Sequence, residues 1–264
     1  MRIAQIVIPH ASEYERKCQR VDAAALAASH EVALVSIADA VGFDVAHVYA
    51  GDELPTGPFR RFPIPYVASH DVRRSRWPFG KPVAPEYVVT PEQLPEAVEE
   101  RYFVERPAQS PPLHYTLGTF GAKRKGVANM VEQTLTRIHR FRDDIDWNLY
   151  DAVPTPEALA DVDAWVDPAT DPDDHDGFVA EALVVDLPVV AARTPINAHR
   201  LEKGRTGFLV PPSDPNELAH AILAALFKSE VADSRRRAAR QTISKFRPRQ
   251  RMRVLLHIYE TLTP

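Results

Sequence analysis

DGFVAEALVVDLPVVAARTPINAHRLEKGRTGFLVPPSDPNELAHAI, running from Asp176 to Ile222, is the stretch that decides the fold. A carboxylate leads into a helix, a buried strand follows, a loop and a second short strand return, and a capped helix closes the unit. Val184 to Ala192 is apolar except for Asp186 and Pro188, and such a run of Val and Ala suits a strand buried on both faces of a parallel sheet. Asp214-Pro215-Asn216-Glu217 supplies an N-cap acceptor, a proline at the first helical position and a Glu at the third, an arrangement that satisfies the orphan amides of a helix start. The helix it opens sets Leu218, Ile222, Leu223, Leu226 and Phe227 on one stripe.

Outward from this stretch the chain divides into two rounds of alternating elements. Ile3 to Ile8 reads as a strand, Tyr14 to Ser29 as a helix with Val21, Ala24, Ala25 and Ala28 spaced for burial, and Glu31 to Ile37 as a second strand. Asp44 to Tyr49, Ile64 to Ala68 and Tyr87 to Val89 are further short strands between proline-rich connections. The second round starts near Leu113: strand to Thr119, helix from Gly126 to about His139, strand from Trp147 to Ala152, helix from Pro156, strand from Ala164 to Val166, then the stretch above. The alternation predicts an α/β protein of two Rossmann-like domains. Their expected bounds are 1–108 and 109–264, with a linker in ERPAQSPP, Glu105 to Pro112.

Composition narrows the class. At 264 residues, 45% apolar and 26% charged, the chain is an ordinary globular protein, and its net charge of −4 offers no global attraction to nucleic acid. Pro 24 against Gly 10 points to stiff extended connections and few glycine-built phosphate loops. The single cysteine, Cys18, excludes an internal disulfide and fits a reducing cytoplasm, where it reads as a small core residue on the first helix. Met1 to Ile8 is too short for a signal peptide, and no window approaches the ~18 apolar residues of a spanning helix, so a cytoplasmic protein is expected, peripheral to the inner membrane face at most.

Five blocks of the deciding stretch, in order, carry a family resemblance: Glu181-Ala182-Leu183, Pro188 to Ala191, Glu202 to Gly207, Phe208 to Pro212 and Asp214-Pro215. Together they resemble the donor-binding half of retaining GT-B glycosyltransferases of the family 4 type (group 1). The amino-terminal half resembles that family's acceptor half in compressed form. ERKCQRVDAAALAASHEVALV is similar to its helix and strand, DVAHVY to a following strand, and VASHDV, with His70 and Asp71, to a segment at a strand end facing the cleft. The resemblance implies a GT-B fold with a shortened amino-terminal domain. It further implies transfer of a sugar from a nucleotide-sugar such as a UDP- or GDP-sugar, with retention and with neither metal nor cofactor. The acceptor, whether sugar, lipid carrier or small molecule, is not named by any motif. The rival is a relative that kept the fold as a nucleotide- or sugar-binding or scaffold protein without turnover.

A sugar nucleotide presents a ribose diol, two phosphates and a polyhydroxyl ring, and the sequence has candidates for each. Glu181, at a helix start after a parallel strand, stands where α/β folds bind ligands, and by resemblance takes the ribose-binding role of the second Glu in the family's E-x7-E motif. The amides of Gly177, Phe178 and Val179 would face a phosphate. For the first carboxylate, Asp173, Asp174 and Asp176 are all near, and the order Asp176-Gly177-Phe178 favours Asp176 for the sugar contact. Lys123-Arg124-Lys125-Gly126 follows a strand and opens a helix where the family places its diphosphate cations: Lys125 matches the second of them, with Lys123 or Arg124 substituting for the first. His70 is a candidate for contact with the sugar or the donor phosphate. Plainer readings stand beside these, namely a dipole-favoured Glu181, a solvated cationic turn and a structural histidine.

Three other patterns fail. The seven Asp residues from Asp161 to Asp176 produce D-x-D triplets by density alone, an EF-hand loop ending at Leu183 lacks its terminal Glu, and one cysteine cannot build a cysteine-rich zinc site. Arg235, Arg236, Arg237, Arg240, Lys245, Arg247, Arg249, Arg251 and Arg253 form a basic stretch, alongside which Met252, Leu255, Leu256, Tyr259 and Leu262 form one apolar stripe. It reads either as a packed terminal helix with solvated arginines or as a surface for peripheral contact with an anionic membrane or an acidic partner.

Overall fold

The computed structural model describes residues 1–7, 13–36, 38–51, 66–70, 87–89, 94, 96–104, 106, 112–171 and 176–263. They fall into two compact units, one of Met1–Glu99 with Lys245–Pro264 and one of Glu100–Ser244. The last twenty residues thus return to the first unit, where continuous bounds had kept them with the second.

In the first unit, β1 (Arg2–Val7), β2 (Glu31–Leu34), β3 (Val45–Gly51), β4 (Tyr66–His70) and β5 (Tyr87–Val89) form a parallel sheet in the order β2-β1-β3-β4-β5. Helix α1 (Glu13–Leu26) makes the β1-to-β2 crossover and buries Tyr14, Cys18, Val21 and Leu26. The terminal helix, α8 (Pro248–Leu262), belongs here through its apolar side: Leu255, Ile258 and Tyr259 pack with Ile3, Leu26, Val45, Val67 and Leu94. Each large side chain so buried is worth about 1.5–3 kcal/mol.

The second unit repeats the topology. Strands β6 (Tyr115–Phe120), β7 (Ile145–Tyr150), β8 (Ala164–Asp167), β9 (Val189–Ala192) and β10 (Phe208–Val210) are parallel in the order β10-β9-β8-β6-β7. Numbered within its own unit, each sheet runs 2-1-3-4-5, a doubly wound order whose chain reverses direction beside the first strand and opens a crevice there at the carboxyl strand ends. The connecting helices are α2 (Val127–Ile138), α3 (Pro156–Ala160), α4 (Val179–Val184), α5 (Pro195–Arg200) and α6 (Pro215–Phe227), followed by α7 (Ser229–Arg240). Leu117, Ile145, Val166, Val190, Leu218 and Ile222 are among the residues of the core between sheet and helices.

The strand expected across Val184 to Ala192 is shorter than its apolar run. Val184 closes α4, Asp186 takes a left-handed conformation with φ 65°, and β9 begins only after Pro188, whose missing N–H breaks the ladder. The Asp214 cap forms as expected, its Oδ1 accepting the amides of Asn216 at 3.0 Å and Glu217 at 3.1 Å.

Candidate functional site

The crevice of the second unit lies at the carboxyl ends of β6 and β8, flanked by the turn from β6 into α2 and the loop into α4. The β6 turn ends at Gly126, whose φ of 79° suits glycine and which N-caps α2 without any side-chain cap. Lys123 and Lys125 are exposed on this turn, and Arg124 between them is half-buried. The start of the 12-residue α2 therefore brings a positive dipole end and two lysines to the crevice.

Arg124 is engaged within the protein. Its Nη2 donates to Asp167 Oδ1 at 3.0 Å and its Nη1 to the Phe120 carbonyl at 3.0 Å. Asp167, the last residue of β8, is 1% exposed and also accepts Asn197 Nδ2 at 2.8 Å. Gly177 packs against the same carboxylate so closely that a Cβ there would come within 2.4 Å of Asp167 Oδ2. The Gly177 carbonyl in turn accepts Trp165 Nε1 at 2.7 Å, and Phe178, left-handed at φ 52°, lays its ring 4.7 Å from that of Phe120. Gly177, Phe178 and Val179 are all buried, and Asp176 just ahead of them is half-buried.

Glu181 is 1% exposed, on the first turn of α4. The structure therefore draws Arg124 and Gly177 together on Asp167, and places Lys123 and Lys125 on the turn and Glu181 on the helix that this carboxylate borders. His70 ends β4 in the first unit, its backbone paired with Gly51, and its side chain lies outside the described residues, as do Asp71, Asp173 and Asp174.

Asp167 and Asn197 are the residues that the motif reading missed. The signal for Asp167 was present: a carboxylate ends the otherwise apolar strand AWVD at the edge of the crevice. Asn197 follows the capped start of α5, where Thr194 Oγ1 accepts the Asn197 amide at 3.2 Å. Its Nδ2 also donates to the Ala192 carbonyl at 3.2 Å, which fixes the amide's orientation and leaves its buried Oδ1 without a donor among the described residues.

The basic stretch does not form one solvated face. Its first four members lie in one unit and its last five in the other. Arg236 Nη2 and Arg240 Nε donate to the Asp186 carboxylate at 3.0 and 2.9 Å, and Arg235 donates to the Gly207 carbonyl while stacking over Phe208 at 4.2 Å. Arg251 is buried against Asp22. Among the described residues no group of three or more His, Cys, Asp or Glu is placed to hold a metal, and no helix is long and apolar enough to cross a membrane.

Residues 129–227 match the family model of Glycosyl transferases group 1, a span that includes Asp167, Gly177, Glu181 and Asn197 and begins just past the Lys123 turn. Solved structures resemble the whole chain. A glycosyltransferase from Rickettsia africae ESF-5 aligns with a TM-score of 0.67 at 12% identity, over 99% of this chain and 98% of that one. Anabaena HepE in complex with UDP aligns with a TM-score of 0.66 at 13% identity, over 99% and 100%. A sucrose-phosphate synthase from Thermosynechococcus elongatus aligns with a TM-score of 0.66 at 11% identity, over 99% of each. No curated protein matches. At such identities the likeness is one of fold, and the fold is that of the GT-B glycosyltransferases.

Proposed function

We propose that this protein, which carries a group 1 glycosyltransferase domain on a GT-B fold, transfers a sugar from a nucleotide-sugar donor to an acceptor, with retention of configuration and without a metal. The observation that carries the reading is the crevice of the second unit, where two exposed lysines and the start of α2, which has no side-chain cap, stand at the switch point of a parallel sheet whose adjoining helix bears a buried glutamate. The Anabaena neighbour has been solved with UDP and with UDP-glucose, which favours a nucleotide-sugar as the ligand class.

In this reading Glu181 accepts the ribose hydroxyls, and Lys125 and Lys123 hold the diphosphate together with the α2 amides. Their fixed positive charge opposes the negative charge that develops on the departing nucleoside diphosphate, an electrostatic stabilisation that works because the donors are in place before the bond breaks. Asp176 and His70 are assigned to the sugar ring. Since the lysines and the helix start supply the charge, turnover is expected to survive a chelator.

The test is donor turnover without acceptor. Purified protein treated with chelator is incubated with UDP-, GDP- and ADP-sugars, and released nucleotide is followed by chromatography, with thermal shift as the binding readout. Slow release from one preferred donor, lost in Asp176→Ala and His70→Ala, supports transfer. A nucleotide-sugar that raises the melting temperature but is neither hydrolysed nor passed to sugar or lipid acceptors makes the protein a binding module instead.

A further inference from the structure

We infer that Asp167 is a positioning residue of the crevice: through Arg124, Asn197 and Gly177 its buried carboxylate holds the cationic β6 turn and the entry to α4 in the geometry that the donor site needs. The inference rests on the nucleotide-sugar reading for the identity of the ligand, but the clamp itself is read from contacts.

Three other segments meet on this one group. Asp167 ends β8, Arg124 comes from the turn after β6, Asn197 from α5 and Gly177 from the loop into α4. Arg124 sits directly between Lys123 and Lys125, so tethering its guanidinium to Asp167 and to the Phe120 carbonyl restrains the backbone that presents both lysines. Gly177 stands four residues before Glu181, and its Cα lies against the carboxylate with no room for a Cβ. Both proposed contact groups, the phosphate cations and the ribose carboxylate, are thereby referenced to the same two oxygens.

Stability alone does not explain a charge pair here. The Arg124 and Asp167 side chains are 10% and 1% exposed, and a buried ion pair is generally no more stabilising than apolar residues of the same volume. What an ion pair with directed hydrogen bonds adds is a defined geometry. Asn197 points the same way: its Oδ1 is a buried acceptor without a donor among the described residues, a condition that native proteins rarely keep outside sites where a ligand or water completes the bonding. The pairing also neutralises Arg124, so that the diphosphate meets Lys123 and Lys125 as its cations.

The experiment uses Asp167→Asn, Asp167→Leu and the double variant Arg124→Leu/Asp167→Leu in the full chain. Three quantities are read: melting temperature, affinity for UDP and GDP by calorimetry, and hydrogen exchange of the segments 120–127 and 176–182. Asp167→Asn is expected to raise exchange in both segments together and to weaken nucleotide binding about tenfold or more, since small misplacements of contact groups carry large penalties. The double variant, free of an unpaired buried charge, should recover melting temperature without recovering affinity. Wild-type affinity in the double variant, or unchanged exchange in Asp167→Asn, would overturn the clamp. If the wild-type protein binds no nucleotide while Asp167→Asn still loosens both segments, the clamp stands and the glycosyltransferase reading fails.

Discussion

Arg251 and Asp22 form a two-point ion pair inside the first unit, with Arg251 Nε 2.7 Å from Asp22 Oδ1 and Nη2 3.0 Å from Oδ2, although 229 residues of sequence separate them. The pair ties α8 to α1. Its surroundings are polar and almost fully connected: Tyr49 donates to Asp22 Oδ2 at 2.8 Å, Gln5 reaches Tyr49, and Gln19 reaches Gln5. Burial opposes the charge on Arg251, yet Asp22 beside it holds the guanidinium well above its ordinary value, so it stays a cation. The carboxy-terminal helix is therefore fixed twice, by its apolar stripe and by a charge that has one partner of the right shape.

Truncating one side of such a pair strands the other. Arg251→Ala is expected to destabilise the protein by about 3–5 kcal/mol, the usual cost of an uncompensated buried charge. Asp22→Leu/Arg251→Leu should be much closer to wild type. Urea unfolding of the single and double variants checks both; equal losses in the two would mean that packing, and not charge, sets the penalty.

His47 makes the first unit sensitive to acid. It is fully buried, stacked on Tyr49 at 4.2 Å and hydrogen-bonded through Nδ1 to Tyr259 at 2.5 Å. Burial, with the Arg251 charge added, lowers its pKa from 6.5 to about 3. Below pH 6.5 the unfolded chain takes up a proton at this site that the folded chain refuses, so stability is present above that pH and is lost as pH falls from 6.5 toward 3. One proton corresponds to about 1.4 kcal/mol per pH unit in this window. Unfolding free energies at pH 7, 6, 5 and 4 should therefore fall less steeply in His47→Asn than in wild type, whatever the carboxylates common to both contribute.

Cys18 gives a simple report on the same core. It is 6% exposed beside Tyr14 and Tyr49, and burial raises its thiol pKa, with Arg251 and Lys17 only partly opposing. The thiolate is the reactive form, so iodoacetamide at neutral pH should leave the folded protein unlabelled and modify it in urea. Rapid labelling of the native protein would contradict this burial.

Legibility in the sequence followed the range of the interactions. The Asp214 cap is local and forms as the spacing predicts, whereas of the α6 stripe Leu218 and Ile222 are buried, Leu223 and Leu226 partly so, and Phe227 is exposed. Alternation likewise placed the strands of both sheets, because each buried strand must be apolar whatever its neighbours are. The end of α4 was misplaced because Val184 and Val185 are apolar in either state; the left-handed Asp186 that separates helix from strand shows only in the backbone. Arg251 looked like part of a basic surface because its partner lies on the first helix. Asp167 stood among seven acids between Asp161 and Asp176, and no spacing rule singles out the one whose side chain meets Arg124 and Asn197.

The donor contacts make separable predictions. Glu181→Ala should weaken UDP or GDP binding by about 1.5–3 kcal/mol, the range for a hydrogen bond to a charged group, and should weaken nucleoside binding by a similar amount because both ligands carry the ribose. Lys125→Ala should spare the nucleoside and weaken the nucleoside diphosphate, since only the phosphates meet the cation. Lys125 is exposed on its turn, so its removal leaves no buried group stranded and the melting temperature should hold. High salt should erode the wild-type advantage for the diphosphate over the nucleoside and leave Lys125→Ala less affected, because ions screen an exposed charge more than a buried one. Calorimetry with UDP and uridine at two ionic strengths decides it. Equal losses for both ligands in Lys125→Ala would make the lysine structural and move the diphosphate contact elsewhere, with Lys123 the next residue to substitute.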